Sequence, residues 1–174
     1  LDLGELARHQ GSMGERRLLE KIEEVLAELA RFSSADRQHI RAVLSIITSG
    51  QELDLERFAG AGPGQIIALK SDAELEDYTY RVAGCVGEFW TRMCRVHAFP
   101  SAAVDDAFLL TTGVKFGQGL QLVNVLRDLP RDLRQGRCYL HADRLAAAGL
   151  TPAALLEAAN EAKLRPLFDS YLAH

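Results

Sequence analysis

The chain has only three cysteines, five prolines and one tryptophan in 174 residues, and no excess of positive charge. Each scarcity removes a class of protein. Cys85, Cys94 and Cys138 are odd in number and form no Cys-x-x-Cys pair, so neither a disulfide framework nor a zinc site is expected. They read as core or incidental thiols of a reducing compartment. A formal net charge of -4 offers nothing to attract a phosphodiester backbone, and nucleic acid is not an expected partner. No apolar run approaches the ~18 residues that span a bilayer, and "LDLGELARHQ" lacks the basic end and apolar centre of a signal peptide. A cytoplasmic location is therefore expected, with at most peripheral contact with a membrane. What the chain does have is apolar content, 48% of its residues, enough for the core of one domain over 1–174.

Helical periodicity runs through nearly all of it, and strand-like alternation is almost missing, so the expected class is all-α. "GERRLLEKIEEVLAELARF" spaces Leu18, Leu19, Ile22, Val25, Leu26 and Leu29 by three and four residues. "SSADRQHIRAVLSIITSGQELDLERF" opens on a Ser/Asp cap signal and turns Ile40, Val43, Leu44 and Ile47 inward. "AGAGPGQ" at 59–65 cannot continue a helix cheaply, and no Lys-Ser or Lys-Thr follows as a phosphate loop requires; it reads as a surface connection. A long helix is expected from the Ser71 cap to the stop at Pro100, with Phe89, Trp90 and Met93 as core residues. Within it Gly84 and Gly87 each cost roughly 1 kcal/mol relative to alanine. Either close helix packing or a groove for an apolar ligand accounts for them. The next helix is expected from about Ser101. His39 and His97 lack clustered partners and read as structural or solvated, and the chain's end, capped by Thr151 with Pro152 at the first helical position, reads as one more helix.

The most informative stretch is "GLQLVNVLRDLPRD", residues 119–132. At about 100° per residue, Gly117, Gln121, Asn124, Asp128 and Asp132 fall within an arc of roughly 80° on one helix face. Leucines and valines cover much of the rest. Carboxylates one turn apart repel, and a divalent ion between them relieves the repulsion. Oxygen donors at i, i+4 and i+8 suit a hard ion such as Mg²⁺, which completes its shell with water and phosphate oxygens. A solvated polar stripe paired to Arg127 and Arg131 fits the same spacing.

"YTYRVAGCVG" (78–87) and "GLQLVNVLRDLPRDLRQGRCYL" (119–140) together resemble the signatures of the squalene/phytoene synthase family, the head-to-head prenyl synthases. The first follows Tyr-x-x-x-Val-Ala-Gly-x-Val-Gly through Tyr78, Val82, Ala83, Gly84, Val86 and Gly87. The second follows Leu-Gln-x-x-Asn-x-x-Arg-Asp-x-x-x-Asp through Leu120, Gln121, Asn124, Arg127, Asp128 and Asp132, then Gly136, Arg137 and Tyr139. "GQELDL" adds a weaker match at Gly50, Asp54 and Leu55. The resemblance implies an all-α isoprenoid-synthase fold whose facing Asp-rich helices hold Mg²⁺ and two prenyl diphosphates. It implies Asn124, Asp128 and Asp132 as metal ligands, and Gln121, Arg127, Arg137 and Tyr139 beside the substrate. It implies Tyr78, with Arg127, at the reacting centre, and Val82, Ala83, Gly84 and Gly87 along the prenyl tail. "VAGCVGEFW" is more similar to bacterial squalene or hydroxysqualene synthases, which makes farnesyl diphosphate the expected substrate, with NADPH required for a squalene product. Geranylgeranyl diphosphate and phytoene-type condensation are the enzymatic alternative, and a non-catalytic assembly or binding factor is the alternative of another class.

The sequence departs from the family pattern in three places. No Asp-x-x-x-Asp precedes Tyr78; Glu20 with Glu24, or Asp54 alone, lacks the pattern or the order. The expectation is that this motif lies upstream of Leu1, making the chain an internal portion of a longer synthase that is inactive alone. Arg131 stands where an acid is common, and His141 where proline often follows "YL". Pro130 removes a helix hydrogen bond between the two aspartates, where a bend is expected.

Overall fold

A computed structural model describes residues 3–173. Their contacts group the chain into two compact units, Leu1–Arg41 and Ala42–His174.

The first unit holds three short helices, α1 (Leu3–Arg8), α2 (Met13–Glu20) and α3 (Ile22–Leu29), and the start of α4 (Ser34–Arg57). Ser12 caps α2 by accepting from the Glu15 amide, and Ser33 caps α4 by accepting from the Asp36 amide at 3.1 Å. The expected continuous helix over "GERRLLEKIEEVLAELARF" divides at Lys21. Leu18, Val25 and Leu26 of its apolar face are exposed, and neither α2 nor α3 buries a residue.

The second unit carries the core. After α4 the connection at 59–66 leads to a two-residue strand, β1 (Ile67–Ala68), paired in parallel with β2 (Arg137–Cys138). Between these strands run α5 (Asp72–Thr79), a π turn (Tyr80–Gly84), α6 (Cys85–His97) and α7 (Asp106–Arg134). After β2 come α8 (Ala142–Ala147), two 3₁₀ turns (Ala153–Leu156 and Ala158–Asn160) and α9 (Glu161–Leu172). Val125, Leu126, Leu129 and Leu133 of α7 pack with Leu69, Leu75, Leu140, Leu145 and Tyr171 in one buried cluster. Of the inward set expected for α4, Val43 is buried, Ile40 and Ile47 are half-buried, and Leu44 is exposed.

Several boundaries differ from expectation for local reasons. The expected Ser71 cap accepts from the Glu74 amide, but the helix that follows is interrupted by the π turn, where wider backbone pairing re-phases the side chains beyond it. Helix α7 starts at Asp106, since Asp105 caps it by accepting from the Phe108 amide at 2.9 Å. It continues through Pro130 to Arg134. Near the end, the Asn160 side chain donates to the Ala154 carbonyl and the Glu157 carboxylate, competing with helical pairing, and 3₁₀ turns replace the first part of the expected helix. His141 caps α8: its Nδ1 accepts from the Arg144 amide, and its Nε2 lies 2.8 Å from Asp72 at the start of α5.

Candidate functional site

Helices α6 and α7 touch backbone to backbone. A Cβ on Gly87 would overlap the Gly113 carbonyl, and one on Gly117 would overlap the Ala83 carbonyl. These contacts fix the seam, with Thr91 donating to the Gly87 carbonyl at 2.8 Å beside it. Along the seam lies a groove of about 590 Å³, walled by Val82, Ala83 and Val86 on one side and by Phe116 and Leu120 on the other. The missing side chain of Gly87 permits the helix contact, the first of the two alternatives left open by the sequence, and Gly87 also lies among the residues lining the groove. Gly84 sits apart from the groove lining, against Gln118, Tyr80 and Val114. Trp90 is 60% exposed and forms part of the groove wall, so it is not the core residue expected; Phe89 and Met93 are only half-buried. The π turn re-phases the helix between Tyr78 and this small-residue face.

At one end the groove becomes polar. Gln121 and Asn124 line it, and the Asn124 amide donates to the Gln121 Oε1 at 3.2 Å. Gln121 Nε2 in turn donates to the Tyr78 hydroxyl at 3.2 Å. The Tyr78 ring stacks on Tyr139 with centroids 4.5 Å apart. Burial raises the pKa of both phenols, keeping them neutral and able to donate. Tyr139 donates to Asp54 Oδ2 at 3.0 Å, and Arg137 Nη1 donates to the same oxygen at 3.1 Å. Arg137 is thus engaged by Asp54, with its guanidinium 5.7 Å from the centre of the Phe58 ring.

Asp54 is the group that sequence reasoning undervalued. It belongs to the weakest of the three matches and stands in the sequence as a lone acid; its partners lie more than eighty residues downstream. Only 8% of it is exposed, and Oδ1 accepts no hydrogen bond among the described residues. Burial raises its pKa, and the Tyr139 hydrogen bond and the Arg137 and Arg57 charges only partly offset that rise. A carboxyl raised in the folded state binds more protons there than in the unfolded chain, so its contribution to stability declines as pH rises from the ordinary carboxylate range through the raised value. The stability gap between the parent and Asp54→Asn should accordingly be widest at acid pH and narrow toward neutrality. Urea unfolding at pH 4 and pH 7 measures it; a gap that widens with pH contradicts the burial argument.

The predicted metal-binding stripe lies on the outer continuation of the same helix. Asp128 receives two hydrogen bonds from the exposed Arg127, at 2.9 and 2.8 Å, and these hold its carboxyl below the ordinary range. Asp132, one turn on, is more enclosed, with Arg131 3.9 Å away. Burial raises its pKa, and the charges of Asp128 and Asp54 add to that against Arg131 and Arg137. Among the described residues no three His, Cys, Asp or Glu side chains are grouped to hold a metal ion. The amide oxygen of Asn124 and the two carboxylates make an all-oxygen donor set suited to a hard cation that draws its remaining ligands from water and phosphate. Asp132, an enclosed carboxylate whose burial outweighs the opposing charges of Arg131 and Arg137, is the member that most needs one. Arg127 now occupies both oxygens of Asp128, so an ion there would have to displace it.

The helical layout, with a long apolar groove leading to an oxygen-bearing helix face, defines an all-α isoprenoid-synthase type of fold. The chain belongs to the squalene/phytoene synthase family, whose sequence profile matches residues 2–174. It is 31% identical over 125 residues to a bifunctional lycopene cyclase/phytoene synthase of Arthroderma gypseum, covering 71% of this chain and 20% of that protein. It is 34% identical over 115 residues to chloroplastic phytoene synthase 2 of Oryza sativa subsp. japonica, covering 63% of this chain and 28% of the relative. To phytoene synthase of Thermus thermophilus it is 34% identical over 108 residues, covering 62% and 33%. The matched region thus spans a third or less of the length of these curated relatives.

Proposed function

We propose that the protein joins two prenyl diphosphates head to head, with geranylgeranyl diphosphate as the substrate. The observation that carries this reading is the run of one helix from an apolar groove, through Gln121 and Asn124, to Asp128 and Asp132 one and two turns further on. An apolar slot ending at donors for a metal-bound diphosphate is what a prenyl diphosphate needs. The relatives carrying the name phytoene synthase support the C20 substrate over the C15 one.

Asn124, Asp128 and Asp132 would hold Mg²⁺, which neutralises the charge a diphosphate gains as it leaves. The chain's own residues do the rest. The apolar groove walls align the tail. Gln121 fixes the Tyr78 hydroxyl, and the Tyr78 ring, backed by the buried Tyr139, would offer its electrons to an allylic cation at the polar end of the groove. Attack by the double bond of the second chain on that cation, with loss of one proton, yields a cyclopropylcarbinyl diphosphate, which loses its own diphosphate and a second proton on rearranging to the joined product; the Tyr78 oxygen is the chain's polar atom we assign beside the reacting carbons. Arg127, once released from Asp128, has a free guanidinium for the diphosphate oxygens.

A second reading, squalene-type condensation of farnesyl diphosphate with NADPH, rests on the "VAGCVGEFW" segment. Incubating the full-length protein with Mg²⁺ and each diphosphate separately, with and without NADPH, separates the two. A C40 hydrocarbon from geranylgeranyl diphosphate without NADPH is expected; a product from farnesyl diphosphate alone overturns the C20 assignment. A lipid product also suits cytoplasmic protein in peripheral contact with a membrane, and among the described residues no helix is long and apolar enough to cross one.

A further inference from the structure

The groove has a built end. Helices α6 and α7 run antiparallel, with Gly87 against Gly113 and Ala83 against Gly117, so the groove extends away from the polar end toward Leu109, Cys94 and Phe99. Phe99 belongs to the connection between the two helices, a segment with no regular structure of its own beyond a turn. Such a segment makes a firm wall only if something fixes it, and Arg95 does. Its Nε donates to Asp106 Oδ1 at 2.6 Å, and its Nη1 donates to the Phe99 carbonyl at 2.8 Å and the Ala102 carbonyl at 3.2 Å. The guanidinium also lies 5.8 Å from the centre of the Phe99 ring. One side chain therefore ties the connection to the first turn of α7 and to the last turn of α6. The Phe99 amide adds a bond to the Cys94 carbonyl at 3.0 Å.

The distance to that wall has a chemical meaning. From Asn124 to Leu109 along α7, at 1.5 Å rise per residue, is about 22 Å. Extended covalent chain advances about 1.2 Å per bond, so four isoprene units reach roughly 19 Å and three only roughly 14 Å. A four-unit tail with its first carbon beside Gln121 and Asn124 ends against Phe99, a three-unit tail leaves the far end unfilled, and a five-unit tail meets the ring.

We infer that Phe99, held by Arg95, is the end wall that sets the prenyl chain length this protein accepts, with Cys94 and Leu109 forming the last part of the slot. This inference rests on the proposed prenyl diphosphate chemistry and adds to it a specificity-determining position. Phe99→Ala removes the wall, and Cys94→Phe fills the slot one position short of it. Filling or emptying even one methylene's worth of an apolar pocket changes discrimination by about tenfold or more.

The test measures kcat/KM with C15, C20 and C25 prenyl diphosphates and Mg²⁺ for the full-length protein and both variants made in it, with thermal unfolding midpoints taken in parallel. Binding of non-cleavable thio-linked analogues of the three lengths gives a readout independent of turnover. The expected result is that Phe99→Ala raises the C25:C20 ratio by about tenfold or more and Cys94→Phe raises the C15:C20 ratio by a similar factor, in turnover and in binding. If either variant unfolds, the other and the conservative Phe99→Leu, with a smaller shift toward C25, decide the question. Turnover with ratios unchanged in the folded variants overturns the wall while leaving the proposed chemistry standing. Absence of turnover and of analogue binding at every length overturns the chemistry, and the wall with it.

Discussion

In the full-length protein, Asp128→Asn should lower Mg²⁺-dependent turnover by about a hundredfold or more, the scale seen when one positioned charge-stabilising group is removed from an active site. The fold should hardly notice. Asp128 lies on the outer face of α7, and its partner Arg127 is 64% exposed at the side chain, so the ion pair between them contributes little to stability. An unfolding midpoint within a degree or two of the parent, together with lost turnover, is the expected pair of results. Unchanged turnover would remove Asp128 from the metal-binding set. The arrangement with Arg127 adds a second expectation: Arg127→Gln frees both Asp128 oxygens, so Mg²⁺ titrated by calorimetry should bind no more weakly, even while the loss of the guanidinium slows the reaction.

Gly87→Val should produce the largest loss of stability among single changes in the α6–α7 seam. Any Cβ at position 87 overlaps the Gly113 carbonyl, so the helices must part. Overpacking of this kind costs about 1–3 kcal/mol and occasionally more, and it overrides the gain of about 1 kcal/mol that replacing glycine gives within a free helix. Gly119→Ala on α7 is the control, because a Cβ there meets nothing within 4 Å. It should be neutral or stabilising by up to about 1 kcal/mol. Urea denaturation of the two variants should therefore move in opposite directions; equal shifts would show that the seam tolerates a side chain and that the glycines have another purpose.

The comparison of these two glycines illustrates what the sequence could and could not convey. Both are glycines in one helical protein, and composition does not distinguish them. Its place in "VAGCVG" marks out Gly87, but the pairing with Gly113 depends on how two helices cross. The long helices, the Ser71 cap and the polar stripe of α7 follow from spacing of side chains along the chain, which is local information. The π turn has no such signature, since a single wider turn barely disturbs a three-to-four residue period. The two-residue strands are too short for alternation to register. A large apolar residue such as Trp90 reads as core, yet a groove wall is apolar for the same reason. Asp54 needed the most distant information of all, because its meaning comes from Tyr139 and Arg137, which reach it only through the return of the chain along β2.

The connection at 59–66 gains a different weight from that return. Gly136 carries a φ of 86° and its Cβ direction is filled by the backbone of Gly62, while the Ile67 amide donates to the Gly136 carbonyl at 2.8 Å. The loop therefore serves as a gauge block for the strand that bears Arg137 and leads to Tyr139. Surface loops ordinarily drift in length without consequence. Here a residue inserted between Ala59 and Ile66 would be felt at the stacked tyrosines, and selection on the chemistry should hold the length of a stretch that looks, by its glycines, free to vary.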